Sequence, residues 1–302
     1  MSHRRQPSLR LKALILAGCC LLLPGCSTKI TYNFLDWWLA WNVKSYISLE
    51  REQRQLLKRE IRHFHTWHRS NELPRYGQLL SQLKQHLQGQ QASAEALGAF
   101  ADEAHSLWQT SLAQLVGPSA ELLSSLSDRQ VRELLQNLAQ QRQTYRKEYV
   151  DLSPQKLQLQ RQKRMVEILE NWIGRLDPAQ TARVAVWAGN LRNNGKWALS
   201  ERQRWGQRLA AVLHQRRSAD LHPPLQRLFL AFERDWSNTY RDNLMANRLA
   251  TLQLIAQLNG TLSDSQVHRR DRTLQRYIDD FNALAASGAP LPTATTAVFL
   301  SD

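Results

Sequence analysis

The side chains with the most chemical potential in this 302-residue sequence crowd into Arg62-His63-Phe64-His65-Thr66-Trp67-His68-Arg69, which carries three of the nine histidines. On a helix, His65 and His68 stand three apart and share a face, whereas His63 points elsewhere. Two helical imidazoles can begin a metal site, but no carboxylate on the same turn completes one, and a His-Glu-x-x-His pattern is absent. The pattern favours ring nitrogens that hydrogen-bond between two helices, and neither a metal nor a cofactor is expected. No serine sits on a glycine elbow, and no Ser-x-x-Lys stands out as a convincing catalytic pair. The adjacent pairs Asp102/Glu103 and Asp279/Asp280 fall on helical stretches, where neighbours diverge by about 100° rather than converge. No catalytic residue can be named, so a binding protein is expected ahead of an enzyme. The positions that stand out as a possible binding site are Trp67, His68, Arg69, Glu72 and Tyr76.

All three cysteines precede residue 27, which leaves the rest of the chain without a disulfide framework or a thiolate metal site. Arg4, Arg5, Arg10 and Lys12 form a basic start, and Ala13 to Leu23 is an apolar run of signal-peptide length, too short to span a membrane. Leu23-Pro24-Gly25-Cys26 then resembles the lipobox of bacterial lipoproteins, which implies cleavage before Cys26 and acylation of that residue. Leu16-Ala17-Gly18-Cys19 is a rival, but cleavage there would leave only a short apolar run. Two or three acyl chains anchor stably where one does not. Ser27 after the cysteine implies, by resemblance to lipoprotein sorting, an outer-membrane anchor with the folded part facing the periplasm. Residues 1–25 are thus expected to be a removed signal peptide.

The formal charge is +14, of which four positive charges sit in the signal, leaving +10. A basic surface usually suggests nucleic acid, but export argues against that partner. An envelope protein or an anionic envelope polymer fits the compartment better, beside the lipid anchor itself. The clusters at Arg161/Lys163/Arg164, Arg202/Arg204/Arg208, Arg216/Arg217 and Arg269/Arg270/Arg272 are expected to be solvated helix faces.

These residues need elements to position them. Apolar residues at 42% and charged residues at 22% allow a packed core, and twelve glycines with ten prolines are few for a sandwich or barrel. Helical periodicity runs from residue 31 to 286, with stripes at 53–69, 94–116, 128–149, 155–174, 179–192, 202–216 and 225–258. The expected fold is all-α, an irregular bundle of about eight to ten helices. It forms a single domain over 26–286, followed by a flexible tail, 287–302. Leu followed by Ser or Asp, two residues and Gln recurs at Leu126–Gln130, Leu176–Gln180, Leu199–Gln203 and Leu262–Gln266, and Leu49–Gln53 has Glu in place of the cap. Each reads as a helix start, with the cap side chain accepting a free N–H and the glutamine reaching back. Leu73-Pro74 reads as a break that restarts a helix. Trp37, Trp38 and Trp41 read as part of the first core helix, with the headgroup layer of a membrane as the alternative.

The N-terminal third carries a resemblance. TYNFLDWWLAWNVKSYISLEREQRQLL followed by Trp67-His68-Arg69-Ser70-Asn71-Glu72-Leu73-Pro74-x-Tyr76 resembles an uncharacterised, domain-of-unknown-function family of Gram-negative lipoproteins. That resemblance implies an all-α lipoprotein and no particular activity. A weaker likeness, carried by the Leu-[Ser/Asp]-x-x-Gln cadence, is to periplasmic chaperones and adaptors with Leu-Thr-x-x-Gln repeats. It implies a scaffold or adaptor of the cell envelope. A lipid- or lipopolysaccharide-binding protein and an envelope-acting enzyme remain as alternatives.

Overall fold

A computed structural model describes Tyr32, residues 34–88 and residues 92–287. Cys26, the signal segment and the tail beyond Ser287 lie outside the described residues. Every regular element among the described residues is helical. In chain order these are α1 (Leu35–Lys44), α2 (Arg51–Gln88), α3 (Ala94–Gln114), α4 (Val116–Ser124), α5 (Asp128–Tyr149), α6 (Pro154–Ile173), α7 (Pro178–Asn190), α8 (Gly195–His214) and α9 (His222–Leu230). A 3-10 turn (Phe232–Asp235), α10 (Asn238–Asn259) and α11 (Asp264–Ala286) follow.

The cap motifs do more than start helices. At α5 and α11, Ser127 and Ser263 each accept the N–H of the glutamine three residues on, and that glutamine's Oε1 takes back the cap N–H. Asp177 and Gln180 do the same at α7, where Pro178 fills the position that has no donor to lose. The glutamine amides then reach across the bundle. Gln53 Nε2 donates to Gln130 Oε1 at 3.2 Å, and Gln130 Nε2 donates to Gln53 Oε1 at 2.6 Å. Gln180 and Gln266 exchange the same two bonds, both at 2.9 Å. Each amide also donates to the loop carbonyl before its partner's helix: Ser125 and Ser48 in one pair, Thr261 and Arg175 in the other. Gln130 and Gln180 are buried, so these bonds form where an unmade one would be costly.

Apolar side chains pack beneath the two pairs. One core gathers Ile47, Leu49, Val116, Leu126, Val131, Leu213 and Leu225 beside the first. Another gathers Ile173, Leu176, Val184, Leu254 and Leu258 beside the second. A third, built on Tyr32, Leu73, Tyr277, Phe281 and Leu284, joins the chain start to α2 and α11. Those two helices come close because Gly77 has no side chain; a Cβ there would stand 2.8 Å from Asn282 Oδ1.

Several expectations change. α2 runs through Pro74 without a break. Pro74 is exposed while Leu73 and Gly77 are buried, so the lost backbone bond faces water and the packed side holds the helix on course. Ser70 and Asn71 side chains bond the Trp67 carbonyl one turn earlier. Leu199–Gln203 lies inside α8, whose first turn is already in place at Gly195, so the motif is there in letters only. The 225–258 stripe is divided by the turn at Trp236, after which Ser237 caps α10. Arg216 and Arg270 are buried rather than solvated. Arg216 donates to the Leu126 and Leu213 carbonyls and pairs with Asp128, and Arg270 donates to Asn259. Trp37 and Trp41 face outward, 65% and 40% exposed, and α1 contains no buried residue.

Candidate functional site

The signature residues fall on the middle of α2, and the structure brings them against the start of the chain. Tyr32 Oη lies 3.0 Å from His68 Nδ1, and Asp36 Oδ1 lies 2.7 Å from His65 Nδ1. Burial, reinforced by the neighbouring His65, lowers the His68 pKa to about 4, so its ring is neutral at pH 7 and shares one hydrogen bond with the Tyr32 hydroxyl. The Arg69 guanidinium sits 5.6 Å above the Tyr32 ring. Buried Glu72 pairs with Arg75 at 2.8 Å, while its Oε2 has no hydrogen-bond partner among the described residues. Tyr76 Oη is 3.4 Å from Ser111 Oγ, and its ring meets His68 and Phe281 edge-on. Half-buried Trp67 leans on Phe64.

This arrangement is a polar clamp. The i, i+3 spacing of His65 and His68 receives Tyr32 and Asp36 on one face of α2 and fixes the direction of α1. None of Trp67, His68, Arg69, Glu72 or Tyr76 borders the large cavity described next. Among the described residues, no three His, Cys, Asp or Glu side chains have a metal-holding arrangement.

One turn earlier on α2 the surroundings are different. Leu57, Ile61 and Phe64 form one wall of a cavity of about 530 Å³. Leu39 and Val43 of α1 close it from one side and Leu112 of α3 and Leu122 of α4 from another. Trp205 of α8, Phe229 of α9, Trp108 and Trp236 complete the lining. That volume lies in the range of small-molecule sites, about 300–1,000 Å³. The wall is chiefly Leu, Phe and Trp; of its polar groups, Gln141, Arg142, Glu201, Arg202 and Arg208 come from α5 and α8, while Glu60 of α2 and Ser119 of α4 lie elsewhere in the lining.

Several of the charged groups there are held by neighbours. Glu201 is held by Arg204 and by the Ser237 N–H, and Arg208 pairs with Asp235 at 2.7 Å. The Arg202 guanidinium lies 4.2 Å above the Tyr145 ring. Arg142 has no carboxylate partner among the described residues. Burial raises the nearby Tyr46 phenol to about 12, against the opposing pull of Arg202, so it stays protonated. An apolar hollow with two arginines at one end can hold a molecule that has a hydrocarbon body and an anionic end.

A family of unknown function, DUF6279, matches residues 45–241. The chain belongs to this family. The DUF6279 match takes in the whole signature, Gln53, Gln130, Gln180 and every cavity-lining residue except Leu39 and Val43. It leaves out α1 and α11. No curated protein and no solved structure matched the chain. No described helix of this DUF6279 member is long and apolar enough to cross a membrane.

Apolar stripes on α2, α3, α5 and α9 were legible in the sequence, but their meeting around a hollow was not. In the sequence Arg202 and Arg208 read as part of a surface cluster, and Arg142 belongs to no cluster at all. The available signal was an arginine on a helix face that also carries Leu138, one turn apart.

Proposed function

We propose that this protein is a lipid-anchored binding protein of the bacterial envelope, held at the outer membrane through Cys26 and facing the periplasm. Its cavity takes a guest with an acyl chain and an anionic head. The observation that carries this reading is the apolar hollow with Arg142 and Arg202 at its polar end. Acyl methylenes would lie along Leu57, Phe64, Leu112 and Phe229, each buried CH₂ contributing about 0.8 kcal/mol. The head would sit near the two guanidinium groups, where a carboxylate or phosphate finds charge-assisted donors. The lipid-binding reading thus comes ahead of the adaptor or scaffold reading, because the Leu-[Ser/Asp]-x-x-Gln cadence is already accounted for by helix capping and pairing. Basic charge on the rest of the surface suits an anionic envelope polymer or an envelope protein as a further partner.

The test is a titration of residues 27–302 with two single-chain amphiphiles of equal length, one anionic and one cationic, followed through the fluorescence of Trp108, Trp205 and Trp236. The anionic compound should bind at least about tenfold more tightly, a difference of about 1.4 kcal/mol. Combined Arg142→Ala and Arg202→Ala should remove that preference while leaving the denaturation midpoint within a few degrees. Absence of binding by either compound, or equal binding of both, would contradict the reading.

A further inference from the structure

α1, together with Tyr32 and Phe34 just before it, presents three faces with three different fates. Tyr32 and Asp36 are tied to His68 and His65, and Leu39 and Val43 form the cavity wall. Phe34, Trp37 and Trp41, at i, i+3 and i+7, point outward, with exposures of 61%, 65% and 40%. The two indoles stack with centroids 6.3 Å apart and planes 15° from parallel. Exposed Phe and Trp on one side of one helix form an apolar patch of the kind that marks an interaction surface. The clamp on the opposite side prevents α1 from rolling to bury it.

The chain itself indicates what covers the patch. Eight residue steps separate Cys26 from Phe34, a reach of at most roughly 28 Å even when fully extended. An acylated Cys26 therefore keeps the patch within about one membrane thickness of the bilayer, whatever path the connecting segment takes. Trp is the side chain most at home in the headgroup layer, where its ring is buried and its N–H stays hydrated. Exposed Lys44 ends the helix with a positive charge suited to anionic headgroups.

We infer that the Phe34/Trp37/Trp41 face of α1 lies in the headgroup layer of the anchoring membrane, which sets the cavity wall formed by Leu39 and Val43 directly behind the bilayer surface. This rests on the anchoring reading but not on the identity of the cavity's guest. The face acts as a second, non-covalent contact that fixes the orientation of a tethered domain.

The experiment places a photo-crosslinking amino acid at Trp37, at Trp41 or, as a control, at Val186, an apolar residue of α7 that is 64% exposed. The full chain is expressed in its own envelope, and acylation is read in the same samples with a labelled fatty acid. Phospholipid adducts at positions 37 and 41, at a yield about tenfold above position 186, are the expected result. Protein adducts at 37 and 41, no adduct at either, or equal lipid adducts at 186 would overturn the inference in an acylated sample. Phospholipid adducts at 37 and 41 in a chain that carries no acyl label would uphold the face and sink the anchor. The clamp provides an independent check, because Tyr32→Phe combined with Asp36→Ala should lower the lipid adduct at 37 while acylation is unchanged.

Discussion

The pairs Gln53/Gln130 and Gln180/Gln266 are built alike, but the helices they join enclose different things. In each pair, two buried amides exchange hydrogen bonds, close their own caps and satisfy a carbonyl in the partner's loop. Beside the second pair, Ile173, Val184, Leu254 and Leu258 pack together, and the nearby surface hollow of about 810 Å³ has no aromatic lining: Leu176, Ala182 and Ala185 share it with Arg175, Thr181 and Ser263. Beside the first pair, α2, α3, α5, α8 and α9 leave a cavity with an apolar wall. The shared device is scaffold, because it appears in both halves with the same geometry. The proposed binding is assigned to the hollow beside the first pair, whose wall is Leu, Phe and Trp with arginines at one end.

The comparison is broken most directly at the glutamines. Gln130→Leu and Gln180→Leu should each destabilise the fold by about 3–4 kcal/mol, since each strands a cap N–H, a loop carbonyl and a partner amide. Urea denaturation should give losses within about 1 kcal/mol of each other. A large loss at one site and none at the other would end the claim of equivalence.

The clamp exists only in the first half, and pH separates it from the rest. His68 has its folded pKa lowered to about 4 from an ordinary 6.5, so the unfolded chain binds the extra proton between those values. Its contribution is present in full above pH 6.5 and is lost as pH falls towards 4. Wild-type stability should lose on the order of 2–3 kcal/mol over that window on its account, and His68→Gln should flatten that part of the profile. An unchanged slope in the variant would show that His68 is not the group responsible.

Filling space sharpens the contrast further. Val184→Phe, at a fully buried position of the second half, should cost about 1–3 kcal/mol by overpacking. Leu112→Trp, which projects into the cavity, should cost less than about 1 kcal/mol and should abolish uptake of an acyl guest. Equal losses at the two sites would mean that the cavity closes in solution. The smallest effect concerns the caps. Ser127→Ala and Ser263→Ala should each cost about 1 kcal/mol, alike in both halves, as read from thermal midpoints.

Much of the scaffold was legible in the sequence because capping is local. Ser127, Asp177 and Ser263 each sit three residues before their glutamine, and the chemistry closes within one turn. The pairing of those glutamines was hidden, since it joins residues 77 and 86 positions apart through a second amide proton that no local rule assigns. Leu199–Gln203 carried the same letters without the function, because a helix already in progress leaves no free N–H for Ser200 to cap. The outward turn of Trp37 and Trp41 was equally out of reach. An amphipathic helix announces an apolar side, but α1 gives its inner positions to Asp36, Leu39 and Val43 through contacts with α2 and the cavity. His65 and His68 were expected to bond between helices, and Asp36 and Tyr32 are the partners they find.

On the proposed reading, the cavity between α1, α2, α3, α5, α8 and α9 holds an anionic, acyl-chain guest. Native mass spectrometry of residues 27–302, secreted to the periplasm and purified without detergent, tests it most directly. The wild-type protein should fly with a population heavier by the mass of one such molecule, and Leu112→Trp should fly without it at an unchanged denaturation midpoint. Bare protein alone in both samples, or the same added mass in both, would contradict the account.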